Sequence, residues 1–130
     1  MDNALSALEL ARTAGKLALE KKGLDVRILK LQKLTTICDY FVIVSGDADV
    51  QVNAISRHIF DELAERGYRP ISREGMSEGN WVLLDYVDVV VHVFYEPTRR
   101  FYALEQLWGD APVERLEDEI TMPPKDQEVG

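Results

Sequence analysis

The stretch Asp39-Tyr40-Phe41-Val42-Ile43-Val44-Ser45-Gly46-Asp47-Ala48-Asp49-Val50, DYFVIVSGDADV, decides how the chain folds. Residues 39–45 are β-branched and aromatic at successive positions, so they read as a strand covered on both faces, as at the centre of a sheet. Ser45-Gly46 breaks the run. From residue 50 to 66 the apolar positions Val52, Ile55, Ile59 and Leu63 recur at helical spacing, and Glu65-Arg66-Gly67 supplies a stop. A strand therefore feeds a helix through a turn that carries two acids.

Three chemistries compete for that turn. A phosphate cradle needs several converging backbone N–H groups and a nearby base, and one glycine followed by two carboxylates would repel the anion. Asp47 and Asp49 are hard-oxygen candidates for Mg²⁺, as in a metal-dependent nucleotidyltransferase, with a third acid drawn from Asp85 or Asp88. The plainest reading makes Asp49 a helix cap: its carboxylate accepts from the unpaired N–H groups of the first turn and sits well in the dipole field. That reading explains both acids without a ligand.

Working outward, residues 3–22 read as a helix through Ala7, Leu10, Ala14 and Leu17, with Asp2 as its cap and Lys21-Lys22-Gly23 as its end. DVRILKL (25–31) reads as a strand. YRPISREGMSEG (68–79) reads as a polar, mobile surface loop. WVLLDY (81–86) and DVVVHVFY (88–95) follow with almost no separation, which predicts a hairpin around Asp85-Tyr86-Val87-Asp88. Pro97 suits the first turn of a third helix, with Phe101, Leu104 and Trp108 on one face and Gly109 at its end. The expected fold is a single α/β domain over residues 1–111, a mixed sheet flanked by helices in the order αββαββα. Residues 112–130 read as an acidic, loosely held tail.

Composition narrows the function. The chain has 130 residues, 46% hydrophobic and 29% charged, with net charge −8. Seven acids against two bases fall from Asp110 onward, so that segment carries −5 and the rest about −3. Such a surface repels a phosphate backbone and suits a basic protein partner. Met1-Asp2-Asn3 does not open a signal peptide, and runs such as VVVHVFY are too short to span a bilayer, so a cytoplasmic location is expected. Cys38, the single cysteine, lacks a basic activator and reads as a small hydrophobe. His92 alternates with valines and reads as a core histidine, while His58 reads as solvated. No cofactor motif or nucleophile–base order is present. Seven of eleven aromatics fall between Trp81 and Trp108, and Trp81 and Tyr86 are the hardest of these to bury. Aromatics exposed beside Arg99 and Arg100 have the composition of a protein interface.

At these residues a resemblance becomes specific. CDYFVIVSG, QVNAI, WVLLDYVDVVVHVF and RRFYALEQLWGDA are similar to the motifs of the ribosomal silencing factor, or Iojap-related, family over roughly residues 5–111. The resemblance implies an α/β fold distantly nucleotidyltransferase-like and without a working catalytic centre. It further implies binding to the basic large-subunit ribosomal protein fourteen, which blocks joining of the ribosomal subunits and lowers translation when nutrients are short. Carried over by position, the contact surface draws on Trp81, Leu83, Asp85, Tyr86, His92 and Tyr95, with Arg99 and Tyr102 beside them and Trp81 and Tyr86 as anchors. Two departures stand out. The family usually has small hydroxyl residues and an arginine where this chain has Asp47-Ala48-Asp49-Val50, and Asp-Tyr-Gly-Asp where this chain has Val87 in place of the glycine. A β-branched residue resists positive φ, so that turn either differs or carries strain. A homodimeric scaffold is a third reading.

Overall fold

The computed structural model describes residues 4–117. Helices α1 (Ala7–Glu20), α2 (Asp49–Glu65), α3 (Glu96–Tyr102) and α4 (Leu104–Leu107) combine with strands β1 (Leu24–Lys30), β2 (Tyr40–Gly46), β3 (Ser72–Glu74), β4 (Trp81–Asp85), β5 (Val89–Tyr95) and β6 (Val113–Leu116). The six strands form one mixed sheet in the order β3-β4-β5-β2-β1-β6. Its centre is the parallel pair β2–β5, in register from Tyr40↔Val89 to Gly46↔Tyr95, and every other pairing is antiparallel.

Alternation along the strands divides the residues between two faces. One face presents Val42 and Val44 from β2, Val82 and Leu84 from β4, and Val89, Val91 and Val93 from β5. Helices α1 and α2 lie on it, contributing Leu10, Ala14 and Leu17 and the expected stripe Val52, Ile55, Ile59 and Leu63. Small residues on α1 (Ala11, Ala14, Gly15, Ala18) let that helix approach closely, and all are buried. The opposite face carries Leu29, Ile43, Val90 and Phe94, partly covered by Leu104 of α4 and by Trp108 at its end.

Several local expectations are corrected. Ser6 caps α1, in a capping box with Glu9, and Asp2 lies outside the described residues. Ala48 is the N-cap of α2 and makes no side-chain cap bond, so Asp49 stands in the first turn and favours the dipole without capping it. Gln51 organises that turn instead: its carbonyl accepts from Asp47 N–H at 2.9 Å while its amide donates to Lys21 and Lys22 carbonyls at the end of α1. The third helix breaks at Ala103, which adopts left-handed φ 49°, leaving Phe101 off the apolar stripe and 80% exposed. His58 is half-buried, with Nε2 2.8 Å from Glu20 Oε1 between α2 and α1. Strand β3 forms inside the stretch expected to be a loop. Strand β6 forms inside the expected acidic tail and pairs with β1 from Leu29↔Val113 to Val26↔Leu116. Arg12 chelates Glu114 from α1 at 2.8 and 2.9 Å, holding that carboxyl below the usual carboxylate range. The remainder of the expected tail lies outside the described residues.

The β4–β5 hairpin turns as expected, and Val87 sits at φ 78°. Asp88 N–H donates to Tyr86 C=O across it at 3.0 Å, which makes Val87 the centre of a strained γ-turn. The Asp85 carboxylate accepts from Val87 N–H at 2.8 Å and holds the turn shut.

Candidate functional site

Trp81, Leu83 and Asp85 project from β4 on the face that α1 and α2 leave uncovered, and all three are half-buried. His92 is the cross-strand partner of Leu83, and Trp81 pairs with Phe94. These side chains therefore form one surface by register alone. Phe41 and Trp108 extend it across β2, with rings 6.1 Å apart and edge to face.

Trp81 is the hinge of the array. It stacks on Phe94 at 4.8 Å and meets Tyr102 at 4.8 Å, and its indole Nε1–H donates to His92 Nδ1 at 3.1 Å. An indole only donates, so His92 Nδ1 must be the unprotonated nitrogen and the ring proton sits on Nε2. His92 is 4% exposed, and burial pushes its pKa down to about 4. It is a neutral imidazole that meets Phe41 edge-on at 4.5 Å, and its Nε2 has no hydrogen-bond partner among the described residues. A base so placed orients the tryptophan and has no access to solvent for proton transfer.

Two expected contact residues are elsewhere. Tyr86 follows the parity of Val82 and Leu84 into the helix-covered core, where it is 8% exposed and burial raises its hydroxyl to about 12. Arg99 is 5% exposed. Its guanidinium donates to Glu105 Oε2 at 2.6 Å, Asp25 C=O at 2.8 Å and Ser45 Oγ at 2.9 Å, fastening α3 to the ends of β1 and β2. Tyr95 ends β5 half-buried, and Tyr102 is 53% exposed.

The exposed rings border a groove of about 720 Å³ between β4 and α3, lined by Trp81, Leu83, Phe101 and Tyr102 with Glu74 and Glu78. Phe101, Glu74 and Glu78 were not expected from the sequence. Phe101 looked like core because nothing signals the break at Ala103, and the acids enter through the pairing of β3 with β4, which places Glu74, and through the loop between them, which carries Glu78. A smaller depression of about 430 Å³ adjoins it, lined by Asp47, Asp49 and Glu78. No group of three or more His, Cys, Asp or Glu among the described residues is arranged to hold a metal ion. Asp85 and Asp88 cannot complete a set with Asp47, because they lie at the Tyr40 end of the parallel ladder. Seven paired residues separate the two ends, about 20 Å. Cys38 is buried, its thiol raised by burial and by Asp39, Asp85 and Asp88, so it is a packing residue. No helix of the described residues is long and apolar enough to cross a membrane.

A family model described as "Ribosomal silencing factor during starvation" matches residues 4–129. The chain is 42% identical over 115 residues to a ribosomal silencing factor of Bacillus subtilis, covering 88% of this chain and 95% of that one. It is 33% identical over 114 residues to the chloroplast protein Iojap of Zea mays, covering 87% of this chain and 50% of that longer one. A crystal structure of a Chromobacterium violaceum protein superposes with a TM-score of 0.78 at 34% identity, covering 81% of this chain and 88% of that one.

Proposed function

The chain belongs to the ribosomal silencing factor family, and on that premise we propose that it binds the large ribosomal subunit in the cytoplasm and keeps it from joining the small one. The partner in this reading is large-subunit ribosomal protein fourteen, and the effect is lower translation when nutrients are short. The mechanism is steric and involves no bond-making.

One observation carries the reading. The sheet face left open by α1 and α2 bears a contiguous aromatic surface around Trp81, bordered by carboxylates, on a chain of net charge −8. Half-buried aromatics ringed by charge are the composition of an interface hot spot, and the acidic sign matches a basic partner. The contact surface is Trp81, Leu83, Asp85 and Tyr102, with Tyr95, which shares the parity of Val91 and Val93 and packs toward the helix-side core, at the end of the groove. His92 acts through Trp81, and Tyr86 and Arg99 support the surface from within.

Sedimentation of purified large and small subunits through a sucrose gradient tests the reading. Added protein is expected to travel with the large subunit and to deplete the joined particle in proportion to dose. An undiminished joined peak at saturating protein would overturn it.

A further inference from the structure

Glu74 and Glu78 make no ion pair and no side-chain hydrogen bond among the described residues, and no lysine or arginine lines their groove. The bases adjacent to Glu74 and to Phe101 are engaged elsewhere. Arg73 alternates to the other face and lies over the Phe60 ring at 4.4 Å, and Arg100 pairs with Glu96 at 3.1 Å. Glu74 pairs across to Leu83 and so stands on the aromatic side of the sheet.

The loop bearing Glu78 is built to hold its place. Gly75 and Gly79 have φ of 83° and 72°. A Cβ at Gly75 would collide with the Trp81 carbonyl, and one at Gly79 would stand 2.8 Å from Asp49 Cβ. Met76 packs into the helix-side core, and Glu78 N–H donates to Gly75 C=O at 3.2 Å. The stretch read from sequence as a mobile loop therefore lies close against β4 and the first turn of α2, and its two glutamates line the groove. Free carboxylates beside exposed aromatic rings make up a receptor for a planar cation.

We infer that this groove takes an arginine side chain from the basic partner protein, a refinement that rests on the partner reading above. The guanidinium lies between Glu74 and Glu78, and its plane and stem lie against Trp81, Phe101 and Tyr102. Arginine fits better than lysine because its flat fork serves two carboxylates and stacks on a ring at once. A second copy of this chain would bring another strongly acidic surface to the same place, and a nucleic acid would bring phosphates, so both meet repulsion.

The test has two arms on the full chain. In the first, tryptophan emission is titrated with a short peptide of alternating arginine and glycine, for wild type, the double variant Glu74→Gln/Glu78→Gln, and Asp61→Asn as an exposed carboxylate on α2 away from the groove. The peptide should quench wild type and Asp61→Asn saturably and leave the double variant unaffected. In the second, affinity for purified large subunits should fall at least about tenfold in the double variant and lose part of its salt dependence. Equal quenching in wild type and double variant, no quenching in either, or unchanged subunit affinity in the double variant overturns the inference. If the peptide arm holds but wild type fails to sediment with large subunits, the choice of partner is wrong and the groove's chemistry stands. Light scattering that shows a dimer dissolved by the double substitution would give the groove to a second copy and also overturn it.

Discussion

The two faces of the sheet are made by alternate residues of the same strands, yet they have different chemistry. The face beneath α1 and α2 is mainly aliphatic and closed: Val42, Val44, Val82, Leu84, Val91 and Val93 are each 0% exposed. The other face substitutes Phe41, Trp81, Leu83, Asp85 and His92 at neighbouring positions and leaves most of them half-buried. The partly open surface is thus confined to one parity, one residue away from the closed core along β4 and β5, although that face also buries Leu29, Ile43 and Phe94. A substitution should therefore disturb mainly the face to which its position belongs.

The largest expected effect comes from the closed face. Leu84→Ala should destabilise the fold by about 3 kcal/mol in urea melts, because the cavity forms where helices cannot collapse onto it. The molecules that remain folded should bind large subunits normally, and a selective loss of affinity would break the division.

Acid should act on the open face by a similar amount. His92 must stay neutral to fold, with its pKa lowered from 6.5 to about 4. Its contribution is whole above pH 6.5, declines as pH falls through that value, and is exhausted near pH 4. The loss over that window is roughly 3 kcal/mol. Urea melts of wild type and His92→Gln at stepped pH should differ in slope between pH 6.5 and 4, with wild type the steeper. Parallel slopes would mean that the imidazole is hydrated in solution.

Next is Trp81→Ala, expected to weaken large-subunit binding by roughly 2 kcal/mol in co-sedimentation, as a central aromatic anchor does. Wild-type affinity would remove Trp81 from the interface. The smallest effect is a gain. Val87→Gly relieves the positive-φ strain in the hairpin turn and should stabilise by about 1 kcal/mol while leaving both faces unchanged.

Local patterns made much of the molecule legible. The strand DYFVIVS, the stripe of α2 and the β4–β5 hairpin all follow from periodicity within the segment itself. The missing pieces are those whose partners are distant in sequence. Ser72-Arg73-Glu74 has no strand pattern and exists because β4 offers it an edge. Val113–Leu116 is short, charged and set among acids, and β1 recruits it with help from Arg12 and Lys30. Arg99 looked like surface because its neighbours Arg100 and Tyr102 are surface, whereas Asp25, 74 residues earlier, supplies its carbonyl acceptor. Tyr86 shows the limit of reasoning from turn propensity, since a residue at the lip of a hairpin still obeys strand parity. Within the candidate site, Trp81, Leu83 and Asp85 were readable as a set by alternation, but which side of the sheet they occupied depended on where α1 and α2 settled.

The pairing of β1 with β6 has a consequence for how the molecule is made. Residues 24–30 acquire their second neighbour only from residues 113–116, so during synthesis the strand waits with one side unsatisfied while most of the domain emerges. A nascent chain halted before Val113 would expose that side to other chains, and sticking between stalled copies is the hazard this connectivity creates.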